Sequence, residues 1–372
     1  MKRLSILLSI AVLILMIGCK KDSVQTLAEP EESAEIQRYT GPIELSTLTD
    51  RSSCPWIVIP AGSVDALADA IANICDDGVI YLKAGTHTEN HPLTISKPVK
   101  IIGESGAVLE VASALSLPNA AGTAIALEPF FHFLDAPGSL VQDLEIKDVS
   151  GNGGLLLLFE NSHGSGVMRN KMTAFQYSIM VEKSDRMTIM FNTIVTTSLW
   201  QTGGVPNAFG ITVINGRSNY LSDNDVSNST FGIWACDRWS TAERNHTHGN
   251  YIGLILCNVP MAYQLPSGVV TGSEIPATGW KTRNNKSSNN LAIGYLVIDG
   301  ANSNLLENNE GGNNGAYDME LTTDTYRFGF LTPAAFNNTV HAGAYNITIK
   351  NCGPNNTING GTLVDTTVDP CN

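Results

Sequence analysis

Short alternating runs of apolar and polar residues recur along the second half of the chain, each opened by a glycine. The phrases Phe209-Gly210-Ile211, Phe231-Gly232-Ile233 and Ile252-Gly253-Leu254 follow one another at steps of 22 and 21 residues. Alternation with period two, broken by Gly, Asn and Asp, is typical of short β-strands rather than helices. Self-similarity at a fixed period of this length indicates a solenoid, in which successive coils stack on one another.

The alternation gives each of these strands two faces. We expect the core to be filled by the pairs Ile211/Val213, Ile233/Ala235, Leu254/Leu256 and Tyr295/Val297. The outer face is mostly apolar and holds Thr212/Ile214, Trp234/Cys236, Ile255/Cys257, Leu296/Ile298 and Asp318/Glu320. Either the loop-like insertions 198–208 and 259–279 cover this stripe, or it is a carbohydrate-stacking surface centred on Trp234. Coverage is favoured because large exposed apolar patches are rare.

An asparagine opens a further short strand in each coil. It recurs as Asn170, Asn192, Asn224, Asn245, Asn285 and Asn308. Asparagine tolerates left-handed backbone angles, and stacked amides hydrogen-bond along a ladder. Because parallel strands in register lie about 4.8 Å apart, we predict a structural Asn ladder along one corner of the solenoid.

These glycine and asparagine repeats resemble those of the right-handed parallel β-helix proteins, the pectate-lyase-like group that includes NosD-like periplasmic proteins. The resemblance covers roughly residues 55–360. It implies an all-β fold, a single-stranded right-handed parallel β-helix (solenoid) of about ten coils. Because lyases, hydrolases, epimerases, adhesins and non-enzymes share this repeat, the resemblance implies no single activity.

The N-terminus has the pattern of an export signal. Lys2 and Arg3 precede about fifteen nearly uninterrupted apolar residues, too short and wrongly flanked for a structural membrane helix. The sequence ending in Gly18-Cys19 resembles a bacterial lipobox, which implies cleavage before Cys19 and lipid attachment to its thiol. The alternatives are a plain cleaved signal and an uncleaved anchor. The protein is therefore expected in the bacterial cell envelope, in contact with a membrane only through the lipid.

Three regions follow from this pattern. Residues 1–18 are the predicted signal peptide, 19–50 a flexible acidic tether too polar to fold, and 51–372 the β-helix domain. Near 63–75, Ser63 resembles an N-cap before apolar residues at helical spacing. These apolar residues are Val64, Leu67, Ile71 and Ile74. We predict a short helix here that caps the open end of the first coil.

The cysteines fit an oxidising compartment. With Cys19 assigned to lipid, six of the seven remain. Four flank the two ends of the domain and are candidates for disulfides: Cys54 with Cys75, and Cys352 with Cys371. Cys236 and Cys257 hold the same position in successive coils. Their side chains point the same way, so a reduced pair is favoured there.

The net charge and the absence of recognisable metal-binding motifs argue against several classes of partner. The formal charge is −13 without a basic run, so nucleic acid is a poor partner. No Cys/His spacing matches a zinc site and no row of aspartates marks a calcium site. We therefore predict no metal and no cofactor, with calcium as the remaining alternative. We expect a monomer whose partner is a polysaccharide.

A polar patch surrounds the Asn marker in the middle coils. His246 and His248, at i and i+2, share one face of a strand. The predicted outward positions are Glu243, Lys281 and Arg283 before the marker, and Asp225, His246, His248, Lys286 and Asn309 after it. In the next coil, Leu306 is expected to take the place of Arg283, with Glu307 on the opposite face.

This patch has the residue types that cleavage of an acidic polysaccharide by a lyase needs: cations for the sugar carboxylate, and an acid and a base for proton transfer. The candidate catalytic residues are His246, His248, Lys281, Arg283 and Glu243, and the candidate substrate-binding residues are Trp234, Asp225 and Lys286. Known signatures do not match, however. The Gly-His-Gly of polygalacturonases is Thr247-His248-Gly249 here, and the Asp-Pro-His box of mannuronan epimerases is absent.

Three functions remain open. We expect an envelope-anchored lipoprotein that binds carbohydrate or has a structural role, because no catalytic box is recognisable. The alternative is a polysaccharide lyase or related enzyme that acts on acidic glycans along the His246/His248 face. The second alternative is a NosD-like accessory protein in the maturation of a metal centre.

Overall fold

The computed structural model describes Cys54 and residues 56–114, 116–118, 120–151, 153–197, 208–258, 261–327 and 330–371. The predicted signal peptide, Cys19, the tether and residues 198–207 of the first insertion lie outside these described residues. Within them, no helix is both long enough and apolar enough to cross a membrane.

The chain winds through three long parallel sheets, to which successive coils contribute short strands. Over the described residues, sheets A, B and C have twelve, nine and eleven strands. Sheet A comprises Ile57–Ile59, Gly78–Leu82, Val99–Gly103, Leu140–Gln142, Gly166–Met168, Thr188–Met190, Tyr220–Ser222, Thr241–Glu243, Lys281–Arg283, Leu305–Glu307, Thr339–His341 and Thr357–Asn359. Sheet B comprises Gly85–Glu89, Ala107–Val111, Glu145–Asp148, Lys171–Ala174, Thr193–Thr196, Asp225–Ser227, His246–His248, Lys286–Ser288 and Glu310–Gly312.

Sheet C lines the third side of the solenoid. It comprises Leu93–Ile95, Pro129–Leu134, Leu155–Glu160, Tyr177–Glu182, Phe209–Arg217, Phe231–Arg238, Ile252–Leu256, Ile293–Val297, Tyr317–Leu321, Thr348–Asn351 and Thr362–Leu363. Two small sheets lie outside the coils: Leu117–Pro118, Ile125–Ala126, Ala262–Gln264 and Val270–Gly272 form one, and the hairpin Thr325–Arg327 with Phe330–Thr332 forms the other.

Equivalent residues of successive coils lie in register, as the repeat predicts. Ile211 pairs with Ile233, which pairs with Leu254 in turn. The glycine before each of them is required by close packing of the backbones. A Cβ atom on Gly210 would lie 2.6 Å from the carbonyl oxygen of Gly232, well inside van der Waals contact.

Both faces of sheet C are buried in its central strands. The inner face joins the main core, which contains all eight residues predicted to fill it. The outer face forms a second apolar cluster with Trp234, Ile255 and Leu296, each fully buried. Residues 261–277, which we call the strap, cover this cluster and contribute Tyr263 and Leu265 to it. The apolar stripe is therefore covered, which was the favoured of the two alternatives.

A ladder of buried asparagines runs along the corner between sheets A and B. In each step, the side-chain oxygen of one Asn accepts hydrogen bonds from the backbone and side-chain N–H groups of the previous one. For example, Asn192 accepts from the backbone nitrogen of Asn170 at 3.0 Å and from its Nδ2 at 3.1 Å. The ladder consists of Asn170, Asn192, Asn224, Asn245, Asn285 and Asn309.

The predicted last member of this ladder, Asn308, is wrong by one residue. Asn309 is buried in the ladder, whereas Asn308 precedes it with a φ of 51°. The residue before every ladder Asn has the same left-handed conformation: Arg169, Phe191, Asp223, Arg244, Asn284 and Asn308. This turn makes the second residue of an Asn-Asn doublet the buried one. Asn309 therefore does not face outward.

The predicted orientations of Leu306 and Glu307, on the strand before Asn308, are wrong for the same reason. Glu307 pairs with Arg283, and Leu306 pairs with Thr282. Leu306 is buried in the main core, so Glu307 rather than Leu306 continues the outward row. Two further asparagine ladders follow other corners and were not predicted. One consists of Asn250, Asn290 and Asn314, and the other of Asn304, Asn338 and Asn356.

A short helix, Ala66–Asn73, lies at the N-terminal end of the solenoid. Its N-cap position is Asp65, not the predicted Ser63, whose hydroxyl instead donates to the Pro60 carbonyl. Glu89 of sheet B takes over the capping, because its carboxylate accepts from the Leu67 N–H at 2.8 Å. The helix buries Leu67 and Ile71 as expected, and Ile74 beyond its end is also buried; Val64, however, is 61% exposed.

Disulfides close both ends of the described domain. Cys54 is bonded to Cys75 beside the cap helix, and Cys352 is bonded to Cys371 at the far end. Cys236 and Cys257 are buried and form no disulfide.

We expect Asn309→Ala to lower the free energy of unfolding by about 2–4 kcal/mol, because it leaves several buried polar groups without partners. The lost partners are the N–H groups of Asn285 and the Thr282 carbonyl. The matched control is Asn308→Gly, which keeps the left-handed turn and should change stability by less than about 0.5 kcal/mol. Urea denaturation measures both variants. Equal losses would contradict the position of the ladder.

Candidate functional site

The strand His246–His248 is held at both ends by asparagine ladders. Asn245 precedes it in the first ladder, and Asn250 follows it in the second. The side chain of Thr247 points inward and contacts the Ser287 hydroxyl at 2.8 Å. With its ends and its middle fixed, the strand presents both histidines on the outer face of sheet B.

Register brings a carboxylate from the preceding coil beside these histidines. Asp225 pairs with His246 along sheet B. Its Oδ1 lies 2.8 Å from His248 Nε2, and its Oδ2 lies 4.0 Å from His246 Nδ1. The two imidazole rings are stacked with centroids 4.5 Å apart. We call Asp225, His246 and His248 the His–Asp cluster.

The His–Asp cluster converges as a set of metal ligands does. One potential ligand atom from each of its three residues lies within 4.8 Å of the others. Among the described residues, no other group of three or more His, Cys, Asp or Glu side chains meets this condition. The side chains of His246 and His248 are each 37% exposed, and that of Asp225 is 49% exposed. An ion or a small molecule can therefore reach the cluster from solvent.

The surroundings of His246 favour its neutral form, in which a ring nitrogen can bind a metal ion. Burial and the neighbouring His248 lower the pKa of His246 below its usual value near 6.5. Its Nε2 lies 3.2 Å from the Ser288 hydroxyl. A neutral ring that donates from Nε2 to Ser288 presents the lone pair of Nδ1 toward Asp225. Such an outer hydrogen bond is the usual way in which a metal-binding histidine is oriented.

The predicted basic cluster is divided between two sheets, and two of its three cations are paired with carboxylates. Lys286 lies on sheet B and pairs with Glu310 at 3.2 Å. Arg283 lies on sheet A and pairs with Glu243 at 2.6 Å. Lys281, on the same strand, is exposed. Cations that already have carboxylate partners are poorly placed to neutralise the carboxylates of a substrate.

Glu243 is paired and ionised, which does not suit the catalytic role for which the sequence made it a candidate. Its side chain is 2% exposed and accepts hydrogen bonds from Tyr220, Arg244 and Arg283. Burial alone would raise the pKa of Glu243, but these hydrogen bonds hold it below the usual value. Removal of this carboxylate would leave two guanidinium groups without their common partner, so we regard Glu243 as structural.

Trp234 does not offer a surface for stacking sugars. It is fully buried beneath the strap, with its ring 4.8 Å from that of Phe209 and 6.2 Å from that of Tyr263. Its indole N–H donates to the Cys257 sulfur. The prediction that Trp234 binds substrate is therefore wrong, because the strap that covers it is distant in sequence and its packing could not be read from periodicity.

Sequence reasoning placed Asp225, His246 and His248 outward but did not recognise them as one ligand set. The available signal was their common position relative to the ladder. Asp225 and His246 each follow a ladder asparagine directly, 21 residues apart, so they had to be adjacent. The search for metal motifs considered spacing along the chain only, and ligands on neighbouring coils do not show such spacing.

The comparison with protein families gives one match. The sequence model of a family described as periplasmic copper-binding protein (NosD) matches residues 84–258. This segment includes all three residues of the His–Asp cluster. No curated protein sequence matches the chain.

Several solved structures are similar to this chain. The family 28 exopolygalacturonase of Yersinia enterocolitica has a TM-score of 0.58 at 11% identity, covering 85% of this chain and 69% of that one. The A-module of the Azotobacter vinelandii mannuronan C-5 epimerase AlgE4 has a TM-score of 0.44 at 13% identity, with 81% and 91% covered. For the periplasmic alginate epimerase AlgG the values are 0.43 and 12%, with 83% and 85% covered. The long parallel sheets and the similarity to the exopolygalacturonase confirm the predicted right-handed parallel β-helix.

We expect Trp234→Ala to lower the free energy of unfolding by about 3–5 kcal/mol, as for other large buried aromatic residues. The reason is the cavity that it leaves between the strap and sheet C. Trp234→Phe, which keeps most of the volume, should cost clearly less. Thermal and urea denaturation measure the difference. An alanine variant as stable as the parent would show that the indole is not part of a packed cluster.

Proposed function

We propose that this protein binds a transition-metal ion, with copper(II) preferred, through Asp225, His246 and His248 in the bacterial cell envelope. The convergence of two imidazoles and one carboxylate within 4.8 Å on an exposed face carries this proposal. It favours the second alternative from the sequence, a NosD-like accessory protein, over a carbohydrate-binding module.

The donor set supports the choice of metal. Imidazole nitrogen suits copper, zinc and nickel, and among divalent ions of the first transition row copper(II) generally binds such sites most tightly. Calcium is a poor fit because it takes six to eight oxygen ligands, whereas two of the three donors here are nitrogen. The description of the NosD family as periplasmic and copper-binding agrees with this choice.

The exposure of the cluster supports a role in holding or transferring the ion. Structural metal sites are usually closed by four protein ligands, whereas three protein ligands leave a position open. The side chains of all three residues are at least 37% exposed. An ion held here could be passed to a second protein that supplies further ligands.

We expect His246→Ala and His248→Ala each to weaken binding of copper(II) at least about tenfold, because each removes one ligand. Isothermal titration calorimetry gives the affinities, and electron paramagnetic resonance reports nitrogen coordination of the bound copper. The matched control is His163→Ala, since His163 is an exposed histidine outside the cluster. Unchanged affinity in both cluster variants, or an equal loss in the control, would refute the site.

Glycan binding or cleavage is the second candidate function. It is favoured by the exposed pair of Asp225 and His248, since a carboxylate that orients an imidazole is suited to acid–base catalysis. The named activities of the similar structures, an exopolygalacturonase and two epimerases, agree with a polysaccharide partner. The carboxylate partners of Arg283 and Lys286 argue against an acidic glycan in particular.

A lyase would produce unsaturated sugar ends, so ultraviolet absorbance over a panel of alginate, pectate and glycosaminoglycans tests this second candidate. If it is correct, at least one substrate gives a rise that His248→Ala abolishes. No rise with any of them excludes the lyase. A rise that survives both His248→Ala and Lys281→Ala would leave the activity but move it to another site.

Lipid anchoring through Cys19 stays a prediction, and it completes the proposed location. The mature protein should partition into the detergent phase, and Cys19→Ala should move it to the aqueous phase. A Cys19→Ala protein that still partitions into detergent would refute the anchor.

A further inference from the structure

Two acidic side chains are buried under the strap, on the outer face of sheet C. Glu160 and Glu182 pair in register on neighbouring strands. Glu182 is fully buried, and Glu160 is 4% exposed. Two carboxylates so close together and removed from water repel each other when both are ionised. This cluster lies on a different sheet from the proposed metal ligands, and the proposed function does not use it.

The strap closes directly over these carboxylates. The Thr271 hydroxyl donates to Glu182 Oε1 at 2.8 Å, and the Ser267 hydroxyl donates to Glu160 Oε1 at 3.0 Å. Asn215 connects strap and sheet. Its Nδ2 donates to Glu182 and to the Gly272 carbonyl, and its Oδ1 accepts from the Glu274 N–H.

The two carboxylates have different partners. Glu160 lies 2.9 Å from Nε2 of His132, which is also buried and lies on the neighbouring strand of the preceding coil. Among the described residues, the cationic neighbour of Glu182 is Lys183, at 3.7 Å, and that lysine is 39% exposed. The titratable and charged groups around Glu182 are thus Glu160, His132 and Lys183 from sheet C, and Tyr263 from the strap.

Burial has the largest effect on the pKa of Glu182. It raises the pKa of this carboxyl to about 7, against smaller opposing effects of Asn215, Thr271 and Lys183. A protonated carboxyl is buried under the strap at less cost than an ionised one, because the partly exposed Lys183 compensates for only part of the lost hydration. Closure of the strap therefore favours the protonated form of Glu182.

We propose that the strap is a pH-responsive cover over Glu160 and Glu182, which opens more readily as the pH rises toward neutrality. The hairpin formed by Ala262–Gln264 and Val270–Gly272 is the moving part. Its opening brings water to the two carboxylates on the outer face of sheet C. For a protein exported from the cell, the pH of the surroundings then controls this face.

The direction of the pH dependence follows from the linkage between opening of the strap and protonation of Glu182. The closed state holds the proton with a pKa of about 7, and an open state exposed to water has the ordinary value near 4.5. The preference for closure is therefore complete below pH 4.5 and decreases as the pH rises. The opening equilibrium increases about tenfold per pH unit up to about pH 7, and is constant above it.

Hydrogen–deuterium exchange of residues 262–272 tests this proposal in the full-length protein. After correction for the intrinsic exchange rate, protection of this hairpin should fall about tenfold per unit between pH 5 and pH 7 and then level off. Core strands such as Phe231–Arg238 in the same sample should not show this change. Protection that is constant over this range would overturn the proposal.

Two variants identify the group responsible. Glu182→Gln mimics the protonated carboxyl with nearly the same shape, so the hairpin should remain protected and lose its pH dependence. Glu320→Gln is the matched control. Glu320 is another buried glutamate on sheet C, but it pairs with Arg327 instead of the strap, so its variant should keep the parental profile. A Glu182→Gln protein with the parental profile would also overturn the proposal.

A third variant guards against misfolding of the glutamine form. Thr271→Val changes only the strap side of the contact and removes the hydroxyl that donates to Glu182. It should lower protection of the hairpin at every pH while sheet B keeps its protection. Protection equal to that of the parent would mean that this contact does not hold the strap, which contradicts the proposed closure.

Discussion

Each coil of this protein is joined to the next by amide groups buried at the corners of the solenoid. A corner is where the backbone leaves one sheet and enters another, and its polar groups would otherwise be buried without partners. The ladder asparagines satisfy them, because each side chain bonds the backbone of the preceding coil and the next asparagine of the ladder. Asn245, for example, bonds Asn224 and Leu221 on the preceding coil and Asn285 on the following one. Loss of one such side chain leaves several unmet polar groups, which costs far more than an ordinary surface hydrogen bond.

This constraint also builds the candidate site. The ladder fixes the register, and the register places Asp225 beside His246 although they are 21 residues apart in sequence. A left-handed residue before each ladder position turns the asparagine inward, so that the residue after the asparagine faces outward. The strand that carries both histidines is attached at each end, so little ordering is needed when a ligand binds. Such preorganisation is what a three-ligand site needs in order to bind tightly.

Two buried glutamates show how the fold handles acidic groups in opposite ways. Glu243 lies beneath two arginines and a tyrosine, and it keeps its charge because hydrogen bonds compensate for the lost water. Glu182 has an acidic neighbour and only a half-exposed lysine, and burial dominates. The same residue type is therefore an ionised structural element on sheet A and a proton-binding group on sheet C. Local composition does not distinguish them, since each has a basic residue directly after it.

The sequence by itself determined the repeat, the parallel stacking, the inward face of sheet C and the outward position of the two histidines, because these depend on periodicity alone. It misplaced Asn308 by one residue, because a doublet offers two equivalent asparagines and only the left-handed turn before the buried one distinguishes them. It also kept Trp234 as a substrate-binding candidate beside the favoured alternative of coverage, and it made Glu243 a catalytic candidate. Those outcomes were decided by the tertiary structure, in which a strap from a later coil covers the indole and arginines from two coils surround the carboxylate. Contacts between segments of irregular spacing have no period, and a sequence pattern cannot contain them.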